Sequence, residues 1–318
     1  MEFQEFENDL KSLGFDNLSG TKLNYGKNSL AWKIKAQDCF YFLKYYKSKQ
    51  EDDRDRIGSE KRFLTLLKYG NITNVPQIIH INEKKKWILL EWIDGEKLIK
   101  PTKKDWIMMI DFINKIQDLR VSKFSNFIND ASEACFSIED HINLIERRLN
   151  NLIYKSRKLT DQHLIYNWLT LEVLPSLENC KIRCVDISKR KENFQAGIKR
   201  ILSPSDIGFH NVLKKEEKLY FHDFEYAGWD DAYKLLADLL IHPDYVVDKE
   251  VANFIIDNLK KTLEIDKEDF TLRLFVVLYR VKWICIIFNS LNEDKKNNKY
   301  LYIKSYNYFN LIRNIWNL

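Results

Sequence analysis

Residue 95 separates two kinds of sequence. Before it stand five short runs that read as strands, at 18–23, 29–36, 39–46, 77–82 and 86–93. They are set apart by turn-forming clusters such as Asn24-Tyr25-Gly26-Lys27-Asn28 and Glu83-Lys84-Lys85. A short amphipathic helix precedes them, with Phe3, Phe6, Leu10 and Leu13 at helical spacing and Gly14 as its stop. Beyond Asp94-Gly95 the apolar residues recur with the helical period instead, beginning with Trp106, Met109, Ile110, Ile113 and Ile116. Helical segments are predicted at 105–119, 141–154 (after a Ser137-Ile138-Glu139-Asp140 cap), 159–177 (disturbed by Pro175), 232–241, 249–263, 270–291 and 300–316. The layout is an α+β one, a small antiparallel sheet followed by a mainly helical region. We expect two parts, residues 1–94 and 95–318.

Two charged residues sit where charge is costly. Lys44 is the single charge inside Cys39-Phe-Tyr-Phe-Leu-Lys-Tyr-Tyr46, the clearest strand in the chain. Glu60 shares the apolar stripe of a predicted helix with Phe63, Leu64 and Leu67, at i, i+3, i+4 and i+7. A lone strand lysine usually faces solvent, and a glutamate on an apolar stripe is expensive unless paired. Each explains the other if they form an ion pair.

The stretch from 202 to 231 carries the chemistry. Asp206 is followed five positions on by Asn211, and a short hairpin then ends at Asp223. Val212-Leu213 and Leu219 to Phe221 read as its strands, with Lys214-Lys215-Glu216-Glu217-Lys218 as the solvated connection. Such a hairpin sets Asn211 and Asp223 side by side. An amide oxygen beside a carboxylate suits a hard cation such as Mg²⁺. Asp206, on a Gly-containing loop, is then available to accept a proton from an attacking hydroxyl.

The order Asp-x4-Asn, hairpin, Asp-Phe, extended by Asp223-Phe-Glu-Tyr-Ala-Gly228 and by Asp231, Ala232, Tyr233 and Leu236-Ala237-Asp238, resembles the aminoglycoside phosphotransferase and choline kinase superfamily. The resemblance runs over most of residues 26–238 and lies mainly in the order of the parts. It implies a protein-kinase-like fold with ATP as phosphoryl donor and an ATP- and Mg-dependent transfer to a hydroxyl of a small molecule. On that resemblance Asp206 is the catalytic base, Asn211 and Asp223 bind Mg²⁺, and Lys44 with Glu60 holds the nucleotide's phosphates. Backbone groups near Glu91 and Ile93 form the adenine hinge, and Gly26 and Ser29 offer N–H groups to the phosphates. Asp231 would brace the catalytic loop. The family's histidine two residues before the catalytic aspartate is replaced by Pro204, which stiffens the loop in its own way. A catalytically weak nucleotide-binding scaffold of the same fold is the alternative. A protein kinase is disfavoured, since no Asp-Phe-Gly or Ala-Pro-Glu is present.

Composition narrows the remaining choices. The net charge of +5 over 318 residues is compatible with an anionic ligand and far from a nucleic-acid-binding signature. With 45% hydrophobic and 31% charged residues the chain can build a core. Five cysteines without a paired framework suggest free thiols in a reducing cytoplasm, and the acidic first residues lack an apolar signal core. The most apolar segment, 270–291, contains Arg273, Arg280 and Lys282, so we expect a core helix rather than a membrane span. Arg273 and Arg280, seven apart, would share a face and could border an anionic acceptor. The slightly positive balance favours a sugar or glycan-precursor hydroxyl over a polycationic drug.

Overall fold

The computed structural model describes residues 2–23, 29–47, 54–159, 163–190, 199–265 and 270–316, apart from the side chains of 185–190 and 270. The chain divides into two compact units. The first comprises residues 1–132 and 204–228, and the second residues 133–203 and 229–318. The predicted sheet region, 1–94, lies wholly inside the first unit, together with 95–132 and 204–228.

The first unit is built on a five-stranded antiparallel sheet. Its strands are β1 (Ser19–Leu23), β2 (Ser29–Ala36), β3 (Cys39–Tyr46), β4 (Ile78–Asn82) and β5 (Trp87–Glu91), in the order β1-β2-β3-β5-β4. Side chains alternate across the sheet because the strand period is two. On one face Trp32, Ile34, Leu43, Trp87 and Leu89 meet Phe3, Phe6 and Leu10 of the α1 segment (Gln4–Ser12) in a single apolar cluster. Gly14, at φ +87°, ends α1 in the left-handed conformation that glycine adopts without a Cβ penalty. Lys44 and Tyr46 have the opposite parity to Leu43 on β3, and both reach Glu60 of helix α2 (Arg56–Tyr69).

Below the sheet, a two-residue strand β6 (Glu96–Lys97) pairs with strand Val212–Lys215 of the predicted hairpin, whose other strand is Lys218–Phe221. Helix α3 (Lys103–Asp118) opens with a Thr102/Asp105 capping box. The other carboxylate oxygen of Asp105 accepts from Lys214 Nζ at 2.8 Å, which pins the hairpin to the helix start. Phe112 of α3 stacks on Phe221 of the hairpin at 3.8 Å between ring centroids.

The second unit is mainly helical: α4 (Ile138–Lys158), α5 (His163–Trp168), α6 (Leu174–Arg190), α7 (Ala232–Leu240), α8 (Lys249–Leu259), α9 (Phe270–Ile287) and α10 (Lys295–Trp316). The predicted 159–177 helix is instead two helices joined by a π-helical turn, Leu169–Val173. Pro175 gives the reason: it has no N–H for the carbonyl four residues back, and its ring crowds that turn. The predicted start of that helix, Thr160-Asp161, lies outside the described residues. The predicted shared face of Arg273 and Arg280 on α9 is not a shared environment, since Arg273 is exposed and Arg280 buried. Arg280 donates to Ser176 Oγ at 2.7 Å, so the two arginines do not present one charged face. Among the described residues no helix is long and apolar enough to cross a membrane.

Asp231 caps α7, its Oδ1 accepting from Lys234 N at 2.8 Å. Its side chain is fully buried, and burial lifts its carboxyl from the ordinary 3.8 to about 8. The folded-state value exceeds the unfolded one, so the native chain holds the extra proton. This contribution is whole below about pH 4 and is lost as the pH rises through about 8. Asp231→Asn keeps the cap and removes the titration. The wild type is expected to lose stability relative to this variant by up to ~1.4 kcal/mol per pH unit across that window. Urea denaturation of both proteins from pH 5 to 8 measures it, and parallel curves would refute the assignment.

Candidate functional site

The predicted ion pair is present. Lys44 Nζ lies 2.7 Å from Glu60 Oε2, and both side chains are about 1% exposed. Glu60 comes from the buried stripe of α2 with Phe63, Leu64 and Leu67, as its spacing requires. Tyr46, two residues along β3 and therefore on the same face as Lys44, donates its hydroxyl to the same Glu60 oxygen at 2.5 Å. Lys44 has two further acidic neighbours. Asp223 Oδ1 accepts from it at 2.6 Å, and Glu225 Oε2 lies 3.0 Å away.

One ammonium thus faces three carboxylates. Burial alone would lower the lysine's pKa, but Asp223 and Glu60 hold it well above its ordinary value, so Lys44 stays charged. Glu60 is lifted by burial against the pull of Lys44. Burial would also lift Asp223, but Lys44 outweighs it and holds this carboxyl below the ordinary range.

Asp223 and Glu225 are placed by the residue between them. Phe224 is 2% exposed and packs on Phe63 of α2 with ring centroids 5.3 Å apart. Asp223 takes φ +68°, a left-handed conformation that aspartate and asparagine tolerate better than most residues. The turn closes at Gly228, where a Cβ would lie 2.4 Å from Asn129 O and 2.5 Å from Ala131 N. Both are backbone atoms and cannot move aside. Gly228→Ala is therefore expected to destabilise the fold by about 1–3 kcal/mol, as overpacking does. A melting temperature unchanged from wild type would contradict this.

The Asp206 loop is held by its own backbone. Asp206 N donates to Pro204 O at 2.9 Å across Ser205, which has φ +66°. A three-residue turn with a positive central φ is rare and strained, and it stands directly before the predicted base. Pro204 is buried at the head of this turn. Asn211 Nδ2 donates to Asp206 O at 2.9 Å, and Asn211 O accepts from His222 N at 3.1 Å. Asn211 therefore ties the loop to the hairpin end that delivers Asp223, with its amide nitrogen committed to the loop carbonyl. His210 Nε2 lies 3.3 Å from Asp206 Oδ1.

The donor set fits a hard divalent cation. Glu60, Asp223 and Glu225 bring carboxylate oxygens within 4.8 Å of one another. Glu225 Oε2 is buried with no hydrogen-bond partner, despite its closeness to Lys44. An excess of oxygen anions around one lysine, with one of them unsatisfied, is an arrangement that a bound cation would complete.

The other predicted residues have these places. Ser29 is buried at the head of β2, opposite Tyr46, in the register that sets Ala31 opposite Lys44. Glu91 ends β5, with its N–H on Gln77 O at 2.9 Å and its Oε2 accepting from Gln77 N at 3.2 Å. Ile93 belongs to no strand, and its carbonyl accepts from Gly95 N at 3.0 Å. Gly26 lies outside the described residues. Glu225, Tyr46 and His210 were not anticipated. Tyr46 was findable, because i+2 on a strand shares the face of Lys44. Glu225 was findable too, as the second carboxylate flanking an anchored phenylalanine.

No family model matches the sequence, and no curated protein matches it. Solved structures do. A choline kinase from Cryptosporidium parvum superposes with a TM-score of 0.62 at 12% identity, covering 98% of this chain and 96% of that one. A spectinomycin phosphotransferase in complex with ADP and spectinomycin gives 0.64 at 18%, covering 98% and 94%. A Plasmodium vivax ethanolamine kinase gives 0.61 at 17%, covering 95% and 85%. At such identities the likeness is one of fold, and it spans nearly the whole chain.

Proposed function

We propose that this chain, whose fold is that of the choline kinases, ethanolamine kinases and aminoglycoside phosphotransferases, is an ATP- and Mg-dependent phosphotransferase acting on a hydroxyl of a small molecule. The observation that carries the reading is the cluster of buried Lys44, Glu60 and Glu225 with half-buried Asp223, in a unit that also contains the Asp206–Asn211 loop. A buried lysine fixed by a helix glutamate is a cation prepared for a phosphate group rather than a surface charge. Spectinomycin phosphotransferase was solved with ADP and with AMP, which supports a nucleotide as donor here.

In this reading Lys44 binds the nucleotide's phosphates, with Glu60 and Tyr46 orienting its ammonium. Ser29 and Gly26 offer backbone N–H groups to those phosphates, and the backbone around Glu91 and Ile93 receives the base. Asn211 and Asp223, joined by Glu225, would hold Mg²⁺, which supplies charge neutralisation of the phosphoryl oxygens. Asp206 accepts the acceptor's hydroxyl proton as the new P–O bond forms and the bond to the nucleoside diphosphate breaks. His210 orients the Asp206 carboxylate. A sugar or glycan-precursor hydroxyl is the proposed acceptor. Residues 1–94 are the proposed nucleotide-binding lobe and 95–318 the proposed catalytic and acceptor lobe. The five free thiols, four of them buried, fit a reducing cytoplasm.

Nucleoside diphosphate release, followed with Mg-ATP and a panel of sugars, amino alcohols and aminoglycosides, tests the proposal. Acceptor-dependent turnover with a sugar is expected. A chain that binds no nucleotide would overturn the reading, and one that binds Mg-ATP without any transfer would leave a nucleotide-binding scaffold.

A further inference from the structure

The helical unit contains a cavity of about 360 Å³ between α6, α9 and α10. Its apolar wall comes from Leu171, Leu274, Val277 and Phe309, and three arginines, Arg183, Arg280 and Arg313, reach the same space. Arg280 is the unusual one. It is 2% exposed, its Nη2 donates to Ser176 Oγ at 2.7 Å, and its Nη1 makes a long 3.4 Å contact with Phe309 O. Its guanidinium lies over the Phe309 ring, 4.0 Å from the centroid, and its Nε has no hydrogen-bond partner. Among the described residues, no carboxylate pairs with Arg280, Arg183 or Arg313. Glu172 borders the cavity but makes no ion pair with any of them.

A buried guanidinium normally has a carboxylate beside it, because desolvating it unpaired is costly. Burial lowers the Arg280 pKa only to about 10, so the charge persists at neutral pH. The neighbouring arginines add positive charge rather than relieving it. The cavity's wall is also irregular, since Leu171 and Glu172 belong to the π-helical turn, a feature that recurs at functional sites. A planar fork of N–H donors matches an oxyanion, and the phenyl and aliphatic wall beside it matches a short apolar body. The volume falls at the small end of the roughly 300–1,000 Å³ of ligand pockets.

We propose that this cavity is a second binding site, specific for a small amphipathic oxyanion whose head pairs with Arg280 and whose apolar part lies against Phe309 and Leu274. The site stands whether or not the chain transfers phosphoryl groups. The full chain, titrated calorimetrically with benzoate, phenyl phosphate and inorganic phosphate, tests it. Benzoate or phenyl phosphate is expected to bind saturably at one site, and to raise the melting temperature. Which of the two binds more tightly tells a carboxylate head from a phosphate one. Arg280→Met should weaken that binding at least tenfold. The exposed Arg313→Gln, which removes charge without touching the core, should weaken it several-fold even if the Arg280 variant fails to fold. No saturable binding to the wild type would overturn the proposal, as would binding undiminished in both variants. Inorganic phosphate binding as tightly as phenyl phosphate would remove the apolar half of the site and overturn it equally.

Discussion

Asp206→Asn is expected to bind Mg-ATP as the wild type does, and to turn over on the order of 10²- to 10⁴-fold more slowly, the usual contribution of a general base. The structure explains why the two effects should separate. Every hydrogen bond described above that shapes this loop uses the backbone of residue 206: its N–H on Pro204 O and its carbonyl under Asn211 Nδ2. An asparagine of the same shape leaves both in place. What it removes is the carboxylate beside His210 Nε2, hence the proton acceptor. Calorimetry with Mg-ATP, alongside a turnover assay with a working acceptor, gives both quantities. Loss of nucleotide affinity in step with turnover would show that Asp206 belongs to the binding apparatus instead.

Asp223→Asn should behave in the opposite way, abolishing transfer and Mg-dependent nucleotide binding together. It should also lower the melting temperature of the unliganded chain. Lys44 holds the Asp223 carboxyl below the ordinary range, so the folded chain favours its charge, and the amide forfeits that stabilisation while leaving Lys44 paired with Glu60. Asparagine tolerates the left-handed backbone at this position, so no new strain is introduced. A ligand that binds only the native state stabilises it, by about 2.7 kcal/mol at a hundredfold excess over Kd. Mg-ATP should therefore stabilise the wild type and not the variant, so the gap between their melting temperatures widens on adding it. A variant that keeps the ligand-induced shift would remove Asp223 from the cation site.

The sheet was legible because each strand carries a local signal: alternation, aromatic content and a turn at its end. The predicted 29–36 and 39–46 runs coincide with β2 and β3, and the others differ by a residue or two at their ends. The Lys44–Glu60 pair was legible for an energetic reason, since two costly placements imply each other. Less could be read where the cause lies in tertiary contact. Strand β6 is two residues long and exists only through its pairing with the hairpin. Strand Arg200–Ser203, paired with Gly228–Asp231, has no length to show a period. Lys214, read as part of a solvated loop, is engaged by the buried Asp105. The strained turn at Ser205 was invisible, because nothing about a serine announces a positive φ.

The division of the chain has a consequence for how it is made. Asp223 meets Lys44 across 179 residues, and the segment that carries it returns to a unit whose sheet left the ribosome long before. At bacterial to eukaryotic synthesis rates of about 5–20 residues per second, that interval lasts on the order of 10–40 s. During it the nascent sheet can pair Lys44 with Glu60 alone, and Phe63 waits for Phe224 with its apolar face uncovered. A chain stalled before residue 228 would therefore expose a half-built core at this spot, where a chaperone or a protease would first find it.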